Sequence, residues 1–377
     1  MRIIVLGGAG DMGAETVRDL CRFSKATEII IADRNRQAAE AVAASTGDQR
    51  VKVKTVDATS RDDLIALMKG NPVVAGALGP FYKFERLVVE AALMAGANYV
   101  SICDDHDAAD SVLALDDLAR QRGRRILTGM GWTPGLSNIL ARKGYEELEE
   151  VEEINVYWAS SAGDSEGLAV IMHTMHIFTG TVISFQEGRH IAVKAGSEQE
   201  IVEFPPPVNQ VKMYHLGHPE PLTLPRYLDG LQKVTLKGGL AENYLNGLAR
   251  FVAALRLSNT SAGKQIMGVI LKGLMPIFPK DKKRRVSGIR VDIHGRRGGR
   301  PISISYAAID RMRRLTGIPL SVGTIMMAEN RIGRFGVFGP EADSAVQPDV
   351  FLEELAKRKV IIGRRELEQA GSTAATD

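Results

Sequence analysis

RIIVLGGAGDMGAE (2–15) is the stretch on which the fold turns. Its opening apolar run, closed by glycine, predicts a buried strand over 2–7, and the pattern that follows predicts a helix over 11–24. Between them Gly8, Gly10 and Gly13 form G-x-G-x-x-G. Glycine-rich turns are common, so the spacing alone says little. Here it follows a strand and opens a helix, and Asp33 closes a second strand twenty residues after Gly13. That context predicts a dinucleotide-binding βαβ unit. Gly8 permits the tight turn, Gly10 lets backbone approach a pyrophosphate, and Gly13 lets the helix lie close to the strand. The first helical residues, Asp11 and Met12, offer free N–H groups to the phosphates. Asp33 suits the ribose hydroxyls of NAD and opposes a 2′-phosphate. Arg34 and Arg36 follow at once and can hold that phosphate, so NADP stays open beside NAD.

Working outward, strands are expected at 28–33, 51–56, 72–78, 98–103 and 124–129. Helices are expected at 36–45, 61–69, 84–96 (with Gly96 as C-cap) and 108–122. Strict alternation of strand and helix means a parallel sheet covered on both faces. From about residue 146 the pattern changes. Strands are expected at 152–161, 181–186, 190–194, 199–204 and 234–238, and helices at 166–180, 241–256 and 263–275. A hairpin is expected over 286–295 and 300–309, around RRGG. Residues 310–365 read as helical. The fold class is therefore α/β: an N-terminal doubly wound Rossmann domain over 1–135, completed by 310–365, and a second, α+β domain over 136–309. Residues 366–377 read as a flexible tail.

A chain of 377 residues suits two domains. With 48 basic and 45 acidic residues its net charge is +3, which gives no global argument for a nucleic-acid or membrane partner. The basic runs KDKKRR (280–285) and RRGGR (296–300) lack interleaved aromatics and read as a solvated loop and a hairpin tip. Two cysteines, Cys21 and Cys103, point to a reducing cytoplasm, and no apolar run is long enough to span a bilayer.

In a doubly wound sheet, ligands bind beyond the carboxyl ends of the strands. Three unusual segments lie there. GALGPFYKF (76–84) carries Gly79-Pro80 after the fourth strand, and CDDHD (103–107) follows the fifth. GMGWTPGLSNIL (129–140) follows the sixth and leaves bare backbone before a helix, with Thr133 as expected N-cap and Pro134 in the first turn. Gly79, Pro80, Gly131 and Pro134 are thus expected at the cofactor. The alternative is that the glycines simply connect two domains.

These segments carry a resemblance. The glycine fingerprint, GPFYKFERLVVEAALMAGANYVSICDD (79–105) and GWTPGLSNILA (131–141) resemble the saccharopine dehydrogenase family of the saccharopine reductase type, which includes lysine 6-dehydrogenase and carboxynorspermidine synthase. YHLGHPEPLTLPR (214–226), TGIPLSVGTIMMAE (316–329) and GVFGPE (336–341) resemble the family's later segments. The resemblance implies a nicotinamide-dependent oxidoreductase of C–N bonds, acting on an amino acid or amine. It also implies a homodimer built through the second domain, which would bind substrate. Asp33 departs from the NADP-using reductases and lies nearer the lysine 6-dehydrogenase side.

Such chemistry needs a neutral amine held beside the nicotinamide. His218 and Glu220, in a proline-flanked loop, are the candidate base or amine anchor. Arg226 is a candidate for a substrate carboxylate, Asp104 for an ammonium, and Trp132 for the substrate wall. One of Asp104 and Asp105 reads as the N-cap of helix 108–122. His173 and His176 share a helix face but have no third ligand nearby in sequence, so no metal is expected. The competing class is a non-catalytic redox sensor that binds a dinucleotide.

Overall fold

The computed structural model describes residues 1–368 except 71, 162, 165–167 and, between 255 and 284, all but 263, 266, 269, 270 and 273. The helix expected at 263–275 and the basic run at 280–285 therefore fall largely outside the described residues.

The N-terminal part alternates as its pattern predicts. It runs β1 (Arg2–Leu6), α1 (Asp11–Phe23), β2 (Glu28–Asp33), α2 (Arg36–Thr46), β3 (Val51–Thr55), α3 (Arg61–Met68) and β4 (Val73–Gly76). Then come α4 (Phe81–Ala95), β5 (Asn98–Ser101), α5 (His106–Leu113), α6 (Asp116–Gln121) and β6 (Arg125–Leu127). With β15 (Gly336–Phe338) these strands form one seven-stranded sheet in the order β15-β6-β5-β4-β1-β2-β3. Every pairing in it is parallel. Ile3, Ile4, Val5, Ile29 and Ile31 are fully buried, as strands covered on both faces require. Gly96 ends α4 in the left-handed conformation, at φ +72°. The single helix expected at 108–122 is two. The break leaves Asp116 free to accept the Val337 N–H at 2.8 Å, which ties α6 to the distant strand β15.

After α7 (Leu136–Glu146) the chain enters a mixed sheet. Its strands are β7 (Glu150–Ser160), β8 (Thr181–Gln186), β9 (Arg189–Lys194), β10 (Glu200–Glu203), β11 (Gln210–His215), β12 (Lys233–Leu240), β13 (Ser287–Arg297), β14 (Arg300–Asp310) and β16 (Gly363–Glu368). The order is β10-β11-β12-β7-β13-β14-β16, with β8 paired to β12 and β9 to β8. Its helices among the described residues include α8 (Leu168–Ile177), α9 (Glu220–Tyr227) and α10 (Asn243–Ala254). The chain returns through α11 (Met312–Ala328), then β15, then α12 (Pro348–Lys357). α11 lies on α1, where the Thr16 hydroxyl donates to the Gly317 carbonyl at 3.0 Å. A Cβ on Gly317 would stand 2.7 Å from the Met12 carbonyl, so only glycine allows that approach. One continuous core joins both sheets, from Ile3 through Trp132 and Trp158 to Ile304.

Three expectations change. β11 and β15 are strands where none was expected. Residues 366–368 lie in β16 rather than in a tail, because Arg364 pairs with Glu147 at 2.6 Å and Arg297 with Glu366 at 2.7 Å along that edge. At the start of α7, Thr133 is not the N-cap. Gly135 holds that position, its N–H donating to Asn138 Oδ1 at 3.0 Å, while the Thr133 hydroxyl is committed to Glu220.

Candidate active site

The chain leaves β1 at Gly7, where φ is +75° and a Cβ would lie 2.6 Å from the Ala77 carbonyl oxygen. A Cβ on Gly13 would overlap the Gly7 carbonyl, so α1 can start this close to β1 only on glycine. Gly10 differs: a Cβ there meets no atom nearer than 3.5 Å. The protein itself leaves that side bare, as an approaching phosphate would require. Asp33 closes the loop from β2, accepting the Ala9 N–H at 3.1 Å and the Asn35 N–H at 2.9 Å. A cavity of about 270 Å³ opens beside it, lined by Gly7, Asp33, Arg34, Thr59, Gly79 and Lys83 among others. It lies where β1 and β4 adjoin, the point at which the strand order reverses, and Pro80 also lines it. Arg36 is turned away, paired with Glu40 at 2.7 Å on the surface. A bare helix start and a crevice at the switch point fit a nicotinamide dinucleotide.

GMGWTPGL has a different reason for its glycines than the one expected. Residues 128–141 are all buried, and the loop folds on itself. A Cβ on Gly135 would overlap Gly131, and one on Gly129 would stand 2.8 Å from the Pro134 ring. Gly131 and Pro134 do not line the cavity at the glycine fingerprint; the bare backbone serves the loop's own packing. Asp11, exposed, and Met12, half-buried, also stand outside that cavity's lining.

The loop brings Trp132 and Thr133 against the segment after β11. Glu220 is the first residue of α9 rather than part of a loop. Pro219 stands at the N-cap and Pro221 in the first turn, positions where a missing N–H costs the helix nothing. Glu220 is fully buried, and its Oε1 accepts from the Thr133 hydroxyl and, at 2.8 Å, from the Ser137 hydroxyl. Its Oε2 has no hydrogen-bond partner, and burial pushes the carboxyl up to about 7. His218 Nδ1 lies 3.9 Å from that oxygen. Only 3% of His218 is exposed, and neither ring nitrogen has a well-formed hydrogen bond. Burial, then the neighbouring His173 and His106, hold it well below the ordinary imidazole range. The indole Nε1 atoms of Trp132 and Trp158 are also buried without an acceptor, their rings edge to face at 5.9 Å. Buried polar atoms left open in this number mark a place built for a polar guest.

The segment after β5 supplies the acidic side. Asp105 stands at the N-cap of α5 but makes no capping bond. Its carboxylate instead accepts the Tyr82 N–H at 2.9 Å and faces His173 Nδ1 at 2.9 Å. Asp104 Oδ2 lies 3.4 Å from His173 Nε2. Burial pulls His173 down, but the two carboxylates outweigh it and push the imidazole up to about 9. The ring of His173 meets that of His218 edge to face at 5.2 Å, and Trp158 flanks His218 at 5.8 Å. Asp104, Asp105 and His173 could collect a cation. Each ring nitrogen, however, already faces its own carboxylate, an arrangement that an imidazolium satisfies alone.

The fold thus unites His218, Glu220 and Trp132, and through His173 it brings Asp104 to them. It does not bring Arg226, which is exposed in the last turn of α9 beside the Tyr227 ring. Sequence reasoning missed Trp158, Ser137, Asn138 and the partnership of His173 with CDDHD. The repeated acids at one strand end and the paired histidines were the available signals, but nothing local joins residues so far apart. Buried Glu341, in GVFGPE, faces Thr223 and Asn138 behind Glu220, and burial raises its carboxyl.

Comparison with known proteins agrees with this geometry. Residues 3–127 match the family model of the saccharopine dehydrogenase NADP binding domain. Carboxyaminopropylagmatine dehydrogenase from Synechocystis sp. is 22% identical over 389 residues, covering 95% of this chain and 96% of that one. The apo structure of saccharopine dehydrogenase (L-Glu forming) from Saccharomyces cerevisiae superposes with a TM-score of 0.70 at 14% identity, covering 97% of this chain and 99% of the other. No helix among the described residues is long and apolar enough to cross a membrane. The resemblance read from the sequence is borne out: residues 3–127 form a saccharopine dehydrogenase NADP binding domain, and the whole chain is similar in sequence and fold to dehydrogenases of that kind.

Proposed function

We propose that the protein moves a hydride between the CH–NH carbon of an amino acid or amine and nicotinamide, with His218 and Glu220 serving the reacting nitrogen. The observation that carries this reading is the buried pair itself: a neutral imidazole and a carboxyl raised to about 7, with open polar atoms on both. The nicotinamide, when bound, accepts or returns the hydride. His218 takes the proton that an amine must lose before oxidation, and Glu220, 3.9 Å away, can share or return it. Closer contact is expected once substrate fills the site, since such bonds are often long in ligand-free forms. Asp104 offers a carboxylate to a second ammonium or a guanidinium. The indole N–H groups of Trp132 and Trp158 can donate to a carboxylate. Of the candidates, a secondary amine bearing both charges, of the saccharopine or carboxyaminopropylagmatine kind, uses the most of these groups; lysine uses fewer.

For the cofactor, Asp33 lines the cavity and would accept from ribose hydroxyls, which supports NAD, while Arg34, Lys83 and Thr59 line the same cavity and support a 2′-phosphate. We infer use of both, with Arg34 deciding the balance. The second domain is proposed as the dimer interface, and residues 1–135 with 310–365 as the nucleotide-binding unit.

Both tryptophans of the chain are buried at the site, Trp158 against His218 and Trp132 against Trp158, so their fluorescence reports on it. The test is a titration with NADH and NADPH, followed by oxidation assays on carboxyaminopropylagmatine, saccharopine and lysine. Saturable binding and turnover of one amine supports the reading. Binding with no turnover of any of the three removes it.

A further inference from the structure

We propose that His173, clamped between Asp104 and Asp105, is a positioning residue whose fixed positive charge keeps the buried ring of His218 unprotonated and ready to take a proton. This rests on the reading of His218 as the base.

The clamp is geometric. Asp105 holds Nδ1 of His173 at 2.9 Å and is itself fixed by the Tyr82 N–H at 2.9 Å. Asp104 stands at Nε2, 3.4 Å away. Burial pushes the Asp104 carboxyl up to about 7, so the charge that keeps the ring protonated comes chiefly from Asp105, whose carboxyl His173 holds below the usual range. The ring of His173 presents its edge to His218 at 5.2 Å with the planes 82° apart. A cation at that distance opposes a second one, and burial leaves little water to screen the pair. Around them, Asp107 on α5 adds to the charge of His173, while His176 on α8 faces Asp107 at 3.3 Å and Asp105 at 4.0 Å. His218 faces His106 from α5, the Trp158 ring from β7, the Thr133 backbone and Glu220 Oε2. Of these, the Thr133 backbone and Glu220 would favour a charged His218, and the Glu220 carboxyl is itself raised to about 7 by burial. Holding His218 neutral therefore falls to burial first, then to His173, with His106 adding less. Near neutral pH a base must be empty to work, and His173, held by Asp105, does that without itself touching the reacting nitrogen.

The sign of the test follows. Loss of the His173 charge lets His218 protonate more readily, so the acidic limb of the pH–rate profile for amine oxidation moves to higher pH. His173→Gln is expected to shift that limb upward by about one unit. His173→Lys, which keeps the charge, is expected to stay near the wild-type limb. The assay uses NADP with whichever of carboxyaminopropylagmatine, saccharopine and lysine the wild type oxidises. A merely structural role would lower the rate alike at every pH, and that outcome, or an unmoved limb, overturns the proposal. Unchanged turnover in His218→Ala would instead overturn the base assignment and the proposal with it. A second readout needs no substrate. The chain has seven histidines, few enough to assign in histidine-labelled protein by NMR. The titration midpoint of His218 should rise in His173→Gln, and an unmoved midpoint sinks the inference whatever the amine assays give.

Discussion

His218 stands where a side chain is costly to keep unless it is used: fully enclosed, with both nitrogens open. A leucine would fill the space without leaving polar atoms unpaired. If His218 is the base, His218→Ala leaves NADPH affinity intact and lowers turnover at least about tenfold, the lower end of what a positioned base contributes being roughly a hundredfold. Stopped-flow and equilibrium titration on one preparation separate the two effects; equal turnover in the variant would remove His218 from the mechanism. At the other end of the crevice, Asp33 has two duties. It supports the glycine loop through the Ala9 N–H and faces the cavity beside Arg34. Asp33→Ala should weaken NADH binding more than NADPH binding, and Arg34→Ala should do the reverse. Parallel losses in both variants would show that neither residue selects the cofactor. The places of Asp33 and Arg34 at the cavity were legible from the fingerprint because each sits at a fixed offset from a glycine. The partnership of His173 with Asp104 and Asp105, nearly seventy residues apart in the chain, has no such offset and could be seen only in the fold.

At the scale of elements, the site depends on how tightly strand ends are tied to helices. β5 offers an example that also sets a pH limit. Glu85, buried on α4, accepts from the Tyr99 hydroxyl at 2.8 Å and the Ser101 hydroxyl at 2.5 Å on β5, just ahead of the acidic segment. Burial pushes its carboxyl up to about 7, against an ordinary value of 4.5. Between those values the folded state keeps a proton that the unfolded chain has released. Stability from this group is therefore full below about 4.5, falls as pH rises, and is lost above 7. The limit of the effect is about 3 kcal/mol, from 1.36 kcal/mol per unit. Glu85→Gln is neutral at every pH, so its stability should fall less than the wild type's between pH 5 and pH 8. Urea unfolding of both proteins at the two values decides the matter, and parallel losses would show that Glu85 stays ionised. The elements themselves were legible where they are buried on both faces. GRRELE (363–368) has no alternating apolar pattern, since its edge strand is held by charge pairs such as Arg364–Glu147. GVF (336–338) is too short to announce itself, and its partner β6 lies some two hundred residues earlier.

Over the whole molecule, one core spans both sheets, yet a set of large apolar side chains stays outside it. On α10, Tyr244 and Phe251 are 45% and 60% exposed and lie seven residues apart, on one face of the helix. Ile266, Val269 and Ile270 are 47–60% exposed and repeat at three and four residues, the spacing of a second helical face. Scattered surface apolar residues need no account, but a stripe on one helix followed by another so close in sequence is a contact surface in waiting. Its place in the second domain agrees with the homodimer that the family resemblance implies, and the near-balanced charge of the chain offers no repulsion against self-association. If this face joins two copies, the wild-type protein sediments at twice the chain mass at micromolar concentration. Phe251→Glu places a charge at the centre of the stripe and should return it to the mass of one chain. The substitution lies on a face that the single chain exposes, so the fold and the NADPH titration should survive it; a charge on a buried side chain would cost the fold itself. A variant that still sediments as a dimer would place the interface elsewhere. A wild type that sediments as a monomer would leave the α10 face without the partner proposed for it. Retained cofactor binding with lost turnover in a monomeric variant would further mean that pairing of the second domains shapes the substrate side, since the glycine fingerprint lies at the other sheet.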